Sequence, residues 1–192
     1  MINRLFYENN GIIRTEDAVR AGISRTRLGL LVKDGKLDRI AQGQYIRPDA
    51  IPDDLYLLQQ RSEIIVFSHE TALFLHDMAA RTPLLHSLTI PSSHKLSPAL
   101  SEGCKVYYVN PGLFSLGKCS IMSKMGHDIV AYDVERTVCD ILRSRSRIDS
   151  QTFAAAIRNY TARKDQDWNK LRFYAEAFHV TKLLRQYLEV LL

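Results

Sequence analysis

The segment TEDAVRAGISRTRLGLLVKDGKLDRIAQGQYIR, from Thr15 to Arg47, decides the fold of the N-terminal part of this chain. Apolar residues repeat at helical spacing on both sides of Gly22, a residue that permits a sharp turn between two helices. Ser24 is a good N-cap for the second helix, and Gly35 is placed to end it. Residues 37–45 then fit two short strands around a glycine-containing turn. The segment therefore predicts a helix, a turn, a second helix and a β-hairpin.

This order of elements is typical of a winged helix-turn-helix, whose second helix enters the DNA major groove while the hairpin contacts the backbone. A helical projection of the second helix places one apolar stripe inward, formed by Leu28, Leu31 and Val32. The opposite face carries Thr26, Gly29, Leu30 and Lys33. A glycine on that outer face costs about 1 kcal/mol of helix propensity, which favours a role in close backbone approach to another surface.

Basic residues are concentrated in the same segment. Between Ser24 and Arg47 there are six basic and two acidic residues, which accounts for most of the chain's formal charge of +5. Such a concentration is the electrostatic footprint of a phosphate-binding surface. We predict DNA contacts from the second helix and the hairpin, made by Ser24, Arg25, Thr26, Arg27, Lys33, Arg39, Gln42, Gln44 and Arg47. Base choice is expected to fall to Arg25, Thr26 and Arg27. The alternative is a structural helix-turn-helix whose second helix is simply solvated.

Composition limits the classes to which the chain can belong. Its 192 residues are 46% hydrophobic and 24% charged, as in ordinary globular proteins. No run of about 18 apolar residues occurs, which argues against a membrane span. The N-terminus has no signal-peptide pattern, and its Ile2, Leu5 and Phe6 predict a short amphipathic helix. Three cysteines without a C-x-x-C pair indicate reduced thiols, so we expect a cytoplasmic protein without a cofactor or metal.

The remaining chain predicts an α+β fold. We expect a winged helix-turn-helix domain over residues 1–50, a connecting helix within 51–62, and an α+β domain over 63–192 with a small, mostly sequential sheet and several C-terminal helices. The last domain opens with a β-branched run at 64–67 and a helix that begins at Ser68. Further strands are predicted at 87–90, 105–109, 119–122 and 129–132. Further helices are predicted after the cap Asp133 and at 150–163, 167–178 and 181–192.

Two polar clusters raise the question of catalysis. In SHETALFLHD, His69 and His76 are seven residues apart, which does not match the i, i+4 spacing of a zinc protease. A capping-box arrangement of Glu70 with Ser68 or Thr71, together with a core histidine, explains that segment better. In YDVERTVCD, the carboxylates Asp133, Glu135 and Asp140 resemble a divalent-cation set. The better explanation is that Asp133 caps the helix and that Arg136 pairs with Asp140 on the helix surface. We therefore predict no catalytic residue and no enzyme.

A second basic concentration lies further along the chain. From Arg143 to Arg172 there are eight basic and three acidic residues, with Tyr160 and Trp168 among them and Tyr174 just after them. This combination is typical of surfaces that follow a nucleic-acid backbone and stack bases, although a solvated helical face explains it equally well. The candidate second nucleic-acid surface consists of Arg143, Arg145, Arg147, Arg158, Arg163 and Lys164.

Taken together, these segments resemble the AbiEi antitoxins of type IV toxin–antitoxin, or abortive-infection, systems. The resemblance rests on residues 11–49, on SHETALFLHDM at 68–78, on LTIPSS at 88–93 and on YDVERTVCDILR at 132–143. It implies an N-terminal winged helix that represses transcription by binding inverted repeats in its own promoter. It also implies a C-terminal domain that counters a nucleotidyltransferase-like toxin without forming a stable complex with it.

Two other functions and the state of association stay open at this stage. One is a nuclease-like C-terminal domain that would use Asp133, Glu135 or Asp140 with a divalent metal. The other is a transcription regulator whose C-terminal domain senses a small molecule. No long dimer helix is evident, and a monomer or weak dimer that binds neighbouring repeats cooperatively is as plausible as a stable dimer.

Overall fold

In a computed structural model of the protein, residues 2–8, 11–79 and 81–191 are described, with side chains omitted for residues 8 and 189–191. The chain divides into two units. The first comprises the residues up to Leu57 together with Ser123–His127, and the second comprises Leu58–Met122 and the residues from Asp128 onward. The predicted helix at 51–62 corresponds to α4, Asp54–Gln60, and the division between the units falls inside it.

The first unit contains three helices and a small antiparallel sheet. Its helices are α1 (Ile2–Glu8), α2 (Thr15–Arg20) and α3 (Arg25–Lys33). Its strands are β1 (Ile12–Arg14), β2 (Asp38–Ala41) and β3 (Gln44–Ile46), in the order β1-β3-β2. The helices and one face of the sheet enclose a core of Leu5, Phe6, Ile13, Ala18, Ile23, Leu28, Leu31 and Leu37. The predicted order of helix, turn, helix and hairpin is therefore confirmed.

A polar network covers another part of the first unit. Asp53 caps α4 by accepting a hydrogen bond from the Tyr56 amide at 3.1 Å, and its other oxygen lies 2.8 Å from His127 Nδ1. The Tyr56 ring stacks on the His127 imidazole with centroids 4.3 Å apart, and the Tyr56 hydroxyl accepts a hydrogen bond from Arg14 on β1. The acidic N-terminus predicted for this helix is thus confirmed, but its capping residue is also a buried partner of a histidine.

The second unit is built around a five-stranded sheet. Its strands are β4 (Val66–Phe67), β5 (His86–Pro91), β6 (Cys104–Val109), β7 (Lys118–Met122) and β8 (Asp128–Tyr132). The strand order is β6-β5-β4-β8-β7, so three of the four pairings join strands that are consecutive in the chain. The exception is the central pairing of β4 with β8, which is parallel and joins Phe67 to Ala131. The mostly sequential sheet predicted from the sequence is therefore confirmed in part, because its centre is made by a long-range pairing.

Helices pack on this sheet and on one another. They are α5 (His69–Leu75), α6 (Pro98–Ser101), α7 (Val134–Arg143), α8 (Ser150–Ala162), α9 (Trp168–Ala177) and α10 (Thr181–Leu191). The end predicted for the last helix, Leu192, lies outside the described residues. α7 is the most enclosed element, and every residue from Glu135 to Leu142 is buried. Its Cys139 is a core residue, as predicted, and burial raises the pKa of its thiol. No helix in the described part of the chain is long and apolar enough to cross a membrane.

Candidate nucleic-acid interface

α3 is held in place by its cap and by two leucines. Gly22 adopts φ of +84°, which lets the chain turn sharply between α2 and α3. Ser24 then has an extended backbone, and its hydroxyl accepts a hydrogen bond from the Arg27 amide at 3.2 Å. Leu28 and Leu31 anchor the helix in the core of the first unit. The N-cap and the inward stripe are confirmed, and the outer face of α3 is therefore fixed in orientation.

That outer face is basic and exposed. The exposed residues from 24 to 33 are Ser24, Arg25, Thr26, Arg27, Gly29, Leu30 and Lys33. Among the residues that the structure describes, the side chains of Arg25, Arg27 and Lys33 form no hydrogen bond or ion pair. A Cβ atom added at Gly29 would meet nothing within 4 Å, so the backbone is open to the outside at this point. All five residues predicted to contact DNA from this helix are exposed.

The hairpin of β2 and β3 presents a smaller part of the predicted site. Its turn contains Gly43 with φ of +72°, whose carbonyl accepts a hydrogen bond from the Thr15 amide at 2.8 Å. Arg39 and Gln42 are exposed, as a contact with phosphates requires. Arg47 is also exposed, but its Nε and Nη2 donate to the Asp49 carboxylate at 3.1 and 2.9 Å. This pairing partly neutralises its charge and reduces the attraction of Arg47 for a phosphate.

Gln44 corrects the sequence-based site. It was predicted as a surface contact of the hairpin, but its side chain is buried, with 7% exposed. The residue lies in β3 directly opposite Arg14 of β1, where alternation along the strand turns its side chain away from the solvent. Its amide oxygen has no hydrogen-bond partner among the described residues. Gln44 is therefore removed from the exposed set, and Lys36, which is exposed just after α3, extends it. The basic character of the segment was the signal that pointed to Lys36.

The N-terminal unit resembles a known protein family. Residues 1–48 match the family model described as "Transcriptional regulator, AbiEi antitoxin". The N-terminal segment is AbiEi-like. The matched residues include the whole of α3 and the hairpin, so the resemblance stated from the sequence is confirmed over this segment.

A structural comparison covers nearly the whole chain. The crystal structure of the Rv2827c protein from Mycobacterium tuberculosis aligns with a TM-score of 0.54 at 13% sequence identity. The alignment covers 94% of this chain and 76% of that protein. At this identity the likeness concerns the fold alone, and it supports the mixed α+β class predicted from the sequence. No protein among those with curated functions matches the sequence.

The second basic segment is less uniform than its sequence suggests. Arg143 pairs with the buried Asp140, Arg147 donates to the Val106 carbonyl, and Arg163 forms a double hydrogen bond with Asp165. Arg145, Arg158 and Lys164 are exposed and have no such partner among the described residues. The six residues predicted as one surface therefore divide into three that stabilise the fold and three that are available to a ligand.

The aromatic residues of that segment do not form a stacking platform. Tyr160 and Tyr174 are buried, with 1% and 6% exposed, and only Trp168 is accessible. Tyr174 donates to the Asp133 carboxylate at 3.0 Å, and burial beside that carboxylate raises its pKa to about 12. Because Tyr160 and Tyr174 are in the core, the stacking of successive bases predicted from their spacing is wrong.

The carboxylates considered for a nuclease site are each bound internally. Asp140 is fully buried between Arg136 and Arg143, so the pair with Arg136 is in the core and not on the helix surface as predicted. Asp133 caps α7 through the Arg136 amide at 2.8 Å, as predicted. Lys170 Nζ lies 3.0 Å from Asp133 and 3.4 Å from Glu135. In the described part of the chain, no group of three metal-ligating side chains is arranged around a common point.

The SHETALFLHDM segment also differs from the capping-box prediction. The Ser68 hydroxyl makes no cap bond with α5; it hydrogen-bonds Thr89 and His69 instead. Glu70 turns towards the sheet, where its carboxylate binds Ser87 and Lys105 at 2.8 Å each. His69 is fully buried and stacks on Tyr107, which confirms the core histidine. Burial, together with nearby arginines and Lys105, lowers the pKa of His69 well below its ordinary value.

Proposed function

We propose that this protein is the antitoxin of a type IV toxin–antitoxin system and that it represses its own promoter. The first unit would act as a winged helix-turn-helix, with α3 in the major groove and the β2–β3 hairpin against the backbone. The observation that carries this proposal is the exposed basic face of α3, whose cations have no partners among the described residues. The match of residues 1–48 to AbiEi regulators supports it.

The proposal gives different tasks to different residues. Arg25, Thr26 and Arg27 occupy the first turn of α3, which is the end that contacts base edges in helix-turn-helix proteins. Lys33, Lys36 and Arg39 lie beyond that turn and would contact phosphates, which supply affinity but little sequence information. In this proposal the open backbone at Gly29 lets the helix sit deeply in the groove.

The second unit would carry the antitoxin activity. The proposed mode is that of type IV systems, in which the antitoxin counters the effect of the toxin without a stable complex. We further propose that the protein is cytoplasmic and that it is not an enzyme. The internal pairing of Asp133, Glu135 and Asp140 supports the last point, because a catalytic cation would have to displace Lys170, Arg136 or Arg143.

The proposed operator contains inverted repeats, each bound by one copy of α3. A monomer or a weak dimer that fills neighbouring repeats cooperatively fits this proposal. Sedimentation of the full chain with and without the duplex checks it. Without DNA we expect a monomer or a dimer that dissociates on dilution, and with DNA we expect two copies of the chain per duplex. A stable dimer in the absence of DNA would contradict this proposal.

Rescue of growth tests the antitoxin half. The chain is expressed beside the toxin-like product of its neighbouring gene, and growth is compared with expression of that product alone. We expect rescue by the wild type, and also by Arg25→Glu/Arg27→Glu, because neutralisation is assigned to the second unit. Growth arrest that persists with the wild-type chain would contradict the antitoxin proposal while leaving DNA binding untouched.

A further inference from the structure

A cavity in the second unit is lined by basic side chains, apolar side chains and the amide of Gln186. It has a volume of about 490 Å³ and lies where the end of α7, the end of α9 and the start of α10 meet. Its basic side chains are Arg143, Arg145, His179 and Lys182. The apolar part comprises Leu142, Phe178, Val180 and Leu183. Among its described lining residues there is no carboxylate.

The buried residues beneath this cavity do not neutralise its positive charge. Arg143 is held by Asp140 at 3.1 Å and lies over the Phe178 ring at 5.2 Å, so its guanidinium is fixed in position. Asp140 is already paired with the buried Arg136 at 3.1 Å, so one carboxylate faces two guanidinium groups. A concave surface that carries charge of one sign concentrates the field and attracts counter-ions. The site therefore has a surplus of positive charge before its exposed cations are considered.

Two exposed cations add to this surplus. Arg145 and Lys182 are exposed and make no ion pair among the described residues, and the exposed His179 ring also lines the cavity. The eleven-residue α10 begins at Thr181, so its first amides contribute further positive potential. The carbonyl groups at the end of α9 carry partial negative charge, which would reduce this potential. They already accept hydrogen bonds, because the Glu176 and Ala175 carbonyls accept from the His179 and Val180 amides at 3.1 and 2.8 Å. Guanidinium, ammonium and imidazole groups thus line one concave region.

We propose that this cavity binds a phosphate group, with Arg145 and Lys182 as direct ligands and Arg143 as a fixed third cation. A dianion is favoured over a single carboxylate because several separate charges must be matched at once. The apolar part would contact the organic portion of the ligand. The phosphate is carried either by a small metabolite or by the end of a polynucleotide. This site is separate from α3 and does not depend on the proposed DNA binding.

Amide chemical shifts of the full chain, titrated with inorganic phosphate, test the site. We expect shifts concentrated at residues 142–145 and 178–183, and an affinity lowered at least about tenfold in Arg145→Glu/Lys182→Glu. Both positions are exposed, so the variant should keep its folded spectrum. Arg158→Glu is the matched control, because Arg158 is an exposed arginine of α8 that does not line the cavity. Unchanged affinity in the double variant, or an equal loss in the control, would overturn the proposal.

Competition then identifies the carrier of the phosphate. A short RNA with a 5′-phosphate and the same RNA with a 5′-hydroxyl are added to the phosphate-bound protein. Displacement of phosphate by the first alone supports a polynucleotide end as the ligand, and displacement by neither supports a small phosphorylated molecule. Displacement by both to the same extent would overturn the assignment to a single phosphate group, because the RNA backbone would then suffice.

Discussion

At the scale of single residues, Arg136 shows what spacing along a helix does and does not determine. The i, i+4 spacing correctly predicts its pairing with Asp140, at 3.1 Å. The guanidinium is nevertheless fully buried between the rings of Tyr132 and Phe178, at 3.8 and 4.1 Å, and donates to the Leu113 and Leu116 carbonyls. The spacing identifies Asp140 as the partner of Arg136, but it does not show that the pair is buried. The burial of α7 is created by segments that are distant in sequence.

Removal of this buried cation should destabilise the second unit strongly. We expect Arg136→Met to lower the free energy of unfolding by about 3–5 kcal/mol, because Asp140 loses its buried partner. Denaturation by urea, followed through the fluorescence of Trp168, the sole tryptophan, reports on this unit. Arg172→Met is the control, since its pair with Glu176 is exposed and 3.8 Å long, and should cost less than about 1 kcal/mol. Similar losses of unfolding free energy in both variants would show that the buried Arg136–Asp140 pair stabilises the protein no more than an exposed pair does.

Two arginines of the first unit should separate base recognition from phosphate binding. Arg27→Ala should cost about 1–3 kcal/mol on the operator and reduce the preference for it over random duplex. Arg39→Ala should weaken binding to all duplexes alike and flatten the dependence on salt. Both side chains are exposed, so neither change should affect folding. Titrations on both duplexes at several salt concentrations measure this, and an equal loss on operator and random duplex for Arg27→Ala would contradict its assignment.

At the scale of elements, the cap of α3 can be separated from its contact with DNA. Ser24→Ala removes the hydrogen bond to the Arg27 amide and should destabilise the helix by about 1 kcal/mol. Ser24→Asp keeps the cap but places a negative charge beside the proposed phosphates. Amide hydrogen exchange of α3 should therefore be faster in the alanine variant alone, while DNA affinity should fall in both. DNA affinity that is unchanged in Ser24→Asp would mean that this end of α3 does not approach DNA.

Gly29 tests whether close approach is the reason for a glycine in α3. Alanine at this position meets no atom within 4 Å and should stabilise the helix by up to about 1 kcal/mol. The added methyl group should at the same time weaken operator binding, because it lies on the face proposed to enter the groove. Hydrogen exchange and DNA titration of Gly29→Ala measure the two effects. Increased stability with undiminished DNA affinity would contradict the close approach.

The elements themselves could largely be predicted, but their arrangement could not. Cap residues such as Ser24 and Asp133, and β-branched runs such as 129–132, are local signals, and all three are confirmed. β4 is only two residues long, and its central place depends on pairing with a strand that follows about sixty residues later. The sequence pattern around Glu70 is typical of a capping box, but its carboxylate binds Lys105 and Ser87 on the sheet instead. In both cases tertiary contacts, which local patterns do not contain, decide the outcome.

At the scale of the whole molecule, one buried histidine, His69, and one half-buried histidine, His76, should link stability to pH. Burial lowers the folded-state pKa of His69 and of His76 below the ordinary value of 6.5. The unfolded chain therefore binds protons that the folded chain does not. The stability from these groups is present above about pH 6.5 and is lost as the pH falls, by up to about 1.4 kcal/mol per pH unit for each histidine.

Urea unfolding monitored through Trp168 at about pH 7.5, 6.5 and 5.5 measures this dependence. His69→Asn should reduce the slope by roughly half, whatever its effect on absolute stability. Ser93→Ala is the control and should leave the slope unchanged, because Ser93 is exposed and has no titratable group. A free energy of unfolding that is equal at all three pH values would contradict the proposed linkage.

The two candidate sites differ in how much of each could be predicted from the sequence. The α3 surface is contained in one continuous segment, so charge and helical periodicity locate its exposed basic residues, and the burial of Gln44 corrects one residue of the hairpin. The contacts of the exposed residues with DNA stay predictions. The cationic cavity combines residues 142–145 with residues 178–186, which are more than thirty positions apart. The charge count pointed to Arg143 and Arg145, but nothing local connects them with His179 or Lys182.

Binding of the full chain to the duplex upstream of its own gene tests the central claim most directly. Affinity for this duplex is compared with affinity for a shuffled duplex, for the wild type, for Arg25→Glu/Arg27→Glu, and for Arg81→Glu/Lys95→Glu, which reverses two exposed charges outside α3. We predict a preference of about a thousandfold or more for the upstream duplex in the wild type and the control, and its loss in the α3 variant. Equal affinity of the wild type for both duplexes, or a preference that survives the α3 reversal, would contradict the account.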